Sequence, residues 1–259
     1  MRFIGIDQKG SPPVNLTNLF ELQKLANLQK GFEFEIVHLA ASLPGTQNAK
    51  KMKHLSLEIM KNLLNAFNPK RFLYLSSTAV YPVTSERKLP HEKPWEVYGS
   101  SKLICENYLR SYSNSFSIVR SGTMIDKYRT GGIKKIFLRA QNGGRIFLPN
   151  YGNVYHPFIQ TSDVSKVVND WILDDRFLLN RTIDLVAKNP VTFKELLEIN
   201  SDQLLRIHNL PSISKAIGWD YLPIAGLSKW HLNALFYNLL DFPNTDSSIN
   251  TIAMKDIQI

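Results

Sequence analysis

The sequence predicts an α/β fold built on a parallel sheet covered by helices on both faces. Short apolar runs alternate with amphipathic helical patterns through the first half of the chain, as strands joined by crossover helices require. The length, 259 residues, suits one domain or two at ~150 residues per domain. A chain of this size buries about three quarters of its unfolded surface without disulfides or metals. Its composition, 44% hydrophobic and 20% charged, argues against disorder as the main state.

Phe3–Ile6 reads as a strand. Leu16, Leu19, Phe20, Leu22, Leu25 and Leu28 mark one face of a helix, with Gly31 as its stop. Phe34–Ala40 is a second strand. Met52, Leu55, Ile59, Leu63 and Phe67 recur at helical spacing, and Pro69 follows. Arg71–Leu75 is a buried strand opening into Ser76-Ser77-Thr78. Tyr98–Tyr112 forms one helix, and Ser117–Arg120 a fourth strand. Beyond Gly131-Gly132 the pattern loosens, with turn clusters at Asn142-Gly143-Gly144 and residues 149–153. Thr161–Leu173 and Thr192–Ile199 read as helices opened by Ser and Thr. From Pro211 onward Trp, Tyr, Pro and Leu mix without period, and no linker precedes them. That portion reads as a smaller lobe.

The net charge of +9 fits either a solvated basic surface or an anionic partner such as nucleic acid, a membrane surface or a phosphate-bearing ligand. The basic residues are dispersed, in clusters no longer than Lys50–Lys51–Lys53, which favours the first and argues against nucleic acid. A single cysteine, Cys105, neither closes an intramolecular disulfide nor builds a Cys-based zinc site. No two of the six histidines stand three or four residues apart, so no metal site is expected. No apolar run nears the ~18 residues of a membrane span, and the first residues do not read as a signal peptide. A cytoplasmic protein is the expectation.

The chemistry concentrates at Ser77, on a strand end, and at Tyr98-Gly99-Ser100-Ser101-Lys102. Tyr and Lys four apart on a helix lie one turn apart on one face. A phenol has an unperturbed pKa near ~10, too high for a base at neutral pH. An adjacent ammonium favours the phenolate and gives a base suited to deprotonating an alcohol. Ser77 stands where an open α/β sheet places its ligands. By itself the Tyr-Lys spacing equally fits a half-buried Tyr beside a solvent-facing Lys.

Five segments, in order, resemble the extended short-chain dehydrogenase/reductase family, the NAD-dependent sugar-nucleotide epimerases and dehydratases. They are Val37-His38-Leu39-Ala40-Ala41, Leu75-Ser76-Ser77-Thr78-Ala79-Val80-Tyr81-Pro82, Pro94 through Glu106, Val119-Arg120-Ser121-Gly122-Thr123, and Tyr155 through Val164. Ser121 stands where proline is usual. The resemblance covers residues 1 to about 200. It implies a Rossmann-like doubly wound parallel sheet, N-terminally shortened, with a small C-terminal substrate lobe. Residues 1–165 would form the dinucleotide-binding part and 166–259 mainly the substrate lobe, interleaved with it.

The resemblance implies Tyr98 as the acid or base at the reacting hydroxyl, and Lys102 as the holder of the nicotinamide ribose that also lowers the Tyr98 pKa. Ser77 would hydrogen-bond the substrate oxygen, with Thr78 and Thr123 nearby as substrate contacts. Leu39, Ala40 and Ala41 would border the adenosine. Asp7 either grips the adenosine ribose or is an ordinary strand-end turn residue. The family's opening strand and G-x-x-G-x-x-G turn have no counterpart in the sequence, which begins at what looks like the second strand. Either a start placed too late or genuine loss would produce this. Arg2–Ile6 is then expected to shift inward and pair in parallel with Glu35–Leu39, which would put Asp7 where its carboxylate repels a pyrophosphate. Thr78 and Ala79 replace the Asp and Glu of the family's 4,6-dehydratases, which argues against dehydration. Ser56 stands roughly where an Asn is usual, and Trp95 reads as a packing residue before a substrate platform.

The expected function is therefore an NAD-dependent epimerase or reductase acting on a nucleotide sugar, from a surface-polysaccharide pathway and impaired by the missing glycine turn. Arg120, Arg139 and Arg145 are candidates for the pyrophosphate. A homodimer through the helices around 46–67 and 95–113 is expected. The alternative is an inactive family remnant that binds RNA or a protein partner.

Overall fold

In Arg71–Ser77 every side chain but the last is buried, and alternate residues of a strand point to opposite faces. Such a strand needs cover on both sides. The computed structural model supplies it, describing residues 14–29, 31–39, 49–81, 92, 94, 97–112, 115–125, 132–148, 152, 155–156, 158–187, 191–199 and 205–209. Its elements in chain order are α1 (Leu19–Leu28), β1 (Glu35–His38), α2 (Ala49–Phe67), β2 (Arg71–Ser77), α3 (Val97–Ser111), β3 (Ser115–Ser121), β4 (Thr123–Ile125), α4 (Gly132–Gln141), β5 (Arg145–Leu148), β6 (Tyr155–His156), β7 (Phe158–Gln160), α5 (Thr161–Leu173), β8 (Arg181–Leu185), β9 (Val191–Thr192), α6 (Phe193–Ile199) and β10 (Arg206–Asn209). A 3-10 turn, Thr78–Val80, follows β2.

Four strands form a parallel sheet in the order β1-β2-β3-β8. On one face Phe72, Tyr74 and Ile118 pack against Leu22 of α1, Met60 and Leu64 of α2, and Leu109 of α3. On the other, Leu73, Leu75 and Val119 pack against Val164, Val167 and Trp171 of α5. The protein is thus a doubly wound, Rossmann-like α/β fold, as the alternation of runs predicts. β8 completes this sheet from beyond residue 165. A second core, around Ile136, Phe137, Leu148, Phe158, Phe193 and Leu196, holds α4, β5, β7 and α6 together. Three smaller pairs accompany it: β5 with β10, β4 with β7, and β6 with β9.

Local chemistry sets the helix ends. Asn18 accepts from the Glu21 amide at the start of α1, and Thr192 and Glu195 exchange hydrogen bonds as a capping box opening α6. Asn68, at φ 41°, ends α2 before Pro69. The apolar face read along α1 is wider than the stripe the fold uses, for Leu22 is fully buried while Phe20 and Leu28 are exposed. Among the described residues only the side facing α2 finds a partner, and Asn62 of α2 ties it down by donating to the Leu16 and Thr17 carbonyls.

At the N-terminal end of β2 the Arg71 guanidinium joins two layers. It pairs with Glu35 at 2.6 and 2.9 Å, lies 4.3 Å from the Trp171 ring, and donates to the Trp171 and Asp174 carbonyls at the end of α5. This anchors the end of the sheet opposite the one carrying Ser77. The expected pairing of Arg2–Ile6 with Glu35–Leu39, like Asp7, Ala40, Ala41, Trp95 and everything from Pro211, lies outside the described residues.

Candidate active site

The C-terminal ends of β2 and β3 lie side by side, with Ser77 in register with Ser121. Ser77 leaves the strand in extended conformation, and its Oγ accepts from the Ala79 amide, capping the 3-10 turn. The hydroxyl proton stays available to donate. Thr78 is buried within that turn, and Thr123 opens β4 two residues past Ser121. Leu39 follows β1 and is 52% exposed.

α3 begins against this turn. A Cβ on Gly99 would stand 1.9 Å from the Ala79 carbonyl oxygen, so only a glycine lets the helix approach so closely. Gly99→Ala is expected to push the Tyr98 end of α3 off the turn that carries Ser77 and Thr78. Turnover should then fall at least tenfold while far-UV circular dichroism is kept, and parental kinetics for a folded Gly99→Ala protein would show that this contact does not set the site.

Tyr98 is half-buried at the first turn of α3. Lys102, one turn on, is 4% exposed. Its Nζ donates to the Leu75 carbonyl at 2.8 Å, 4.8 Å from the Tyr74 ring centre and 5.8 Å from that of Tyr98. Burial pushes the Lys102 pKa down to about 8, with the Glu106 charge among the influences pulling against it. His38, the last residue of β1, stacks on Tyr74 at 5.5 Å. Burial, then the Lys102 charge, lowers its pKa to about 3, so it stays neutral. Ser77 and Thr78 at the end of β2 and Tyr98 and Lys102 at the start of α3 lie where β2 meets α3.

A buried polar cluster next to them was not read from the sequence. Glu106 is fully buried and accepts from Ser76 Oγ at 2.5 Å, from Arg120 at 2.7–3.3 Å and from Arg110 at 2.8 Å. Arg120 also donates to Tyr81 Oη at 2.7 Å and to Glu92 at 2.8 Å. Tyr81 in turn donates to Asp184 on β8 at 2.8 and 3.0 Å. Arg120 is therefore not a ligand for a substrate pyrophosphate, because each of its nitrogens is engaged within the core. The signal in the sequence was a charge inside the apolar strand Ile118-Val119-Arg120. Such a charge must find a buried partner. Among the described residues no group of His, Cys, Asp and Glu could hold a metal, and no helix is long and apolar enough to cross a membrane.

Solved structures share this fold at low identity. Pal from Bacillus thuringiensis aligns with a TM-score of 0.71 at 15% identity, over 94% of this chain and 78% of its own. UDP-glucuronic acid 4-epimerase from Bacillus cereus, solved with UDP-glucuronic acid and NAD, aligns at 0.68 and 16%, over 92% and 76%. UDP-glucose 4-epimerase from Thermotoga maritima, solved with UDP-glucose, aligns at 0.62 and 15%, over 77% and 71%. No curated protein matches in sequence. The model of the NAD dependent epimerase/dehydratase family matches residues 8–176, the span that holds the strand-end serine, the Tyr98–Lys102 pair and most of the doubly wound sheet. By that match the chain belongs to the NAD-dependent epimerase/dehydratase family.

Proposed function

We propose that the protein interconverts epimers of a nucleotide sugar by oxidising and re-reducing one sugar carbon. The observation that carries this reading is the buried Lys102 ammonium, held by the Leu75 carbonyl and facing the Tyr98 ring at the C-terminal edge of the sheet. A cation there favours the phenolate, so Tyr98 takes the proton of the sugar hydroxyl and later returns it. Ser77, with its hydroxyl proton available, donates to the same substrate oxygen and fixes its position. The donor set fits NAD, the cofactor that names the family. An ammonium has three N–H donors and Leu75 takes one, which leaves Lys102 able to hold ribose hydroxyls, with Leu39 beside the adenosine. Bound NAD supplies the two-electron acceptor for the sugar carbon. The buried, uncharged Thr78 and Ala79 leave no acid next to Ser77 for eliminating water, which supports epimerisation over 4,6-dehydration.

Incubation with NAD and UDP-glucose, UDP-glucuronic acid or UDP-N-acetylglucosamine, with sugar anomeric signals followed by proton NMR, tests the reading. Appearance of a second epimer supports it. Unchanged spectra with all three at saturating NAD would favour a family member that only binds. The same 259 residues should hold NAD weakly, because they contain no G-x-x-G-x-x-G. Backbone donors to a pyrophosphate contribute ~1.5–3 kcal/mol each, so calorimetry should return a millimolar Kd or weaker, and a micromolar value would overturn the expectation. Assembly as a homodimer through α2 and α3, which pack side by side and leave Ile104 exposed, belongs to the same proposal and is read by analytical ultracentrifugation.

A further inference from the structure

Glu106 stands one helical turn beyond Lys102, the spacing at which opposite charges on a helix pair. Helical side chains lean toward the N-terminus, so the Glu106 carboxylate is carried toward Lys102. The pair does not form. Among the described residues the Lys102 ammonium is bound to a carbonyl and faces two aromatic rings, while Glu106 turns to Ser76, Arg110 and Arg120. Arg120 makes the largest share of these contacts, through Nε at 3.0 and 3.3 Å and through one terminal nitrogen at 2.7 Å. It is itself held from behind by Tyr81, by Glu92 and, through Tyr81, by Asp184.

We propose that Arg120 is a positioning residue for proton transfer: by claiming the Glu106 carboxylate it keeps that carboxylate off Lys102 and leaves the ammonium to act on Tyr98. The inference rests on the reading of Tyr98 as the proton-transfer group. A Lys102 paired with Glu106 would be a neutral pair, drawn one turn along α3 and away from the ring it faces. The field that favours the phenolate would then be largely cancelled. The other titratable groups around Lys102 do not replace Glu106 in this role. His38 of β1 is neutral, Tyr74 of β2 is buried with a raised pKa, and burial keeps the Cys105 thiol protonated, its pKa raised to about 11. Glu106 is the one carboxylate spaced to reach the ammonium from its own helix.

The test is the ultraviolet titration of Tyr98 in the full chain without cofactor or substrate, taken as the difference between each protein and its Tyr98→Phe counterpart. The midpoint belongs to the Tyr98–Lys102 pair jointly. Arg120→Met should raise it by about one unit, the size of effect a single nearby charge produces. Adding Glu106→Gln to Arg120→Met should bring it back to the parent value. Unchanged far-UV circular dichroism and thermal midpoint in Arg120→Met separate this effect from structural damage, and a Tyr98 midpoint that stays raised in the double variant overturns the proposal. An unchanged midpoint in folded Arg120→Met does the same. Should Arg120→Met fail to fold, Glu106→Gln in the otherwise unaltered protein decides. A carboxylate bound to Arg120 acts on Lys102 only at a distance and not as a pair, so the midpoint should fall by less than one unit, and a drop of about one unit or more would overturn the idea. Because no turnover is read, this outcome stays separate from that of the epimerase assignment, which substrate conversion and the Tyr98→Phe kinetics decide.

Discussion

Tyr98→Phe is expected to lower turnover of a nucleotide sugar by about 100- to 10,000-fold, the contribution of one positioned acid–base group, while the Kd for NAD changes by less than about twofold. The phenyl ring stays and keeps its place over Lys102, where the Tyr98 ring centre lies 5.8 Å from Nζ. Only the oxygen proposed to exchange a proton with the sugar is lost. Lys102→Met should instead damage both quantities, because in the proposed mechanism one ammonium serves the ribose and the phenolate together. Single-turnover kinetics and calorimetry, run on the same preparations, separate the two effects. Equal turnover of Tyr98→Phe and parent would remove Tyr98 from the chemistry and the epimerase reading with it.

Glu106→Leu carries the largest expected loss of stability. The carboxylate is fully buried and accepts from Ser76, Arg110 and Arg120. Removing it leaves Arg120, itself 3% exposed, with Glu92 as its remaining ion-pair partner among the described residues. Breaking a buried pair from one side costs about 3–5 kcal/mol, a large part of the ~5–15 kcal/mol that holds a typical protein folded. At ~2–4 °C per kcal/mol for a chain of this size, the thermal midpoint should fall by on the order of 10 °C. Circular dichroism measures it. Glu106→Leu combined with Arg120→Met should recover much of the loss, since no charge is then left buried and unpaired. A fall of less than about 2 °C in the single variant would mean that water reaches Arg120 in its place.

The sequence by itself determined the main elements before Gly131 that the structure describes, together with the helices at Thr161 and Thr192, while α4 and the strands after β3 carried no clear pattern. Apolar runs and helical spacings marked Arg71–Leu75, Met52–Phe67, Tyr98–Tyr112 and Thr161–Leu173, and each contains or closely bounds the observed element. These patterns are local, since a strand buried on both faces is apolar throughout and a helix repeats every 3.6 residues. The pairing of Tyr98 with Lys102 was legible for the same reason, one helical turn being a fixed distance. Partners far apart in the chain were not. Whether Arg120 faced a ligand or the core depended on which residues of α3 and β8 the sheet brought to it, and only the tertiary structure decided for Glu106, Tyr81 and, through Tyr81, Asp184. The exposed side of α1 was misread likewise, because Phe20 and Leu28 would be buried only if a neighbour covered them, and α2 covers the other face. Sequence periodicity fixes which way a side chain points along its own element. What it meets there depends on contacts between distant segments, and in this protein such contacts decide whether the Lys102 charge is paired with a carboxylate or left facing Tyr98.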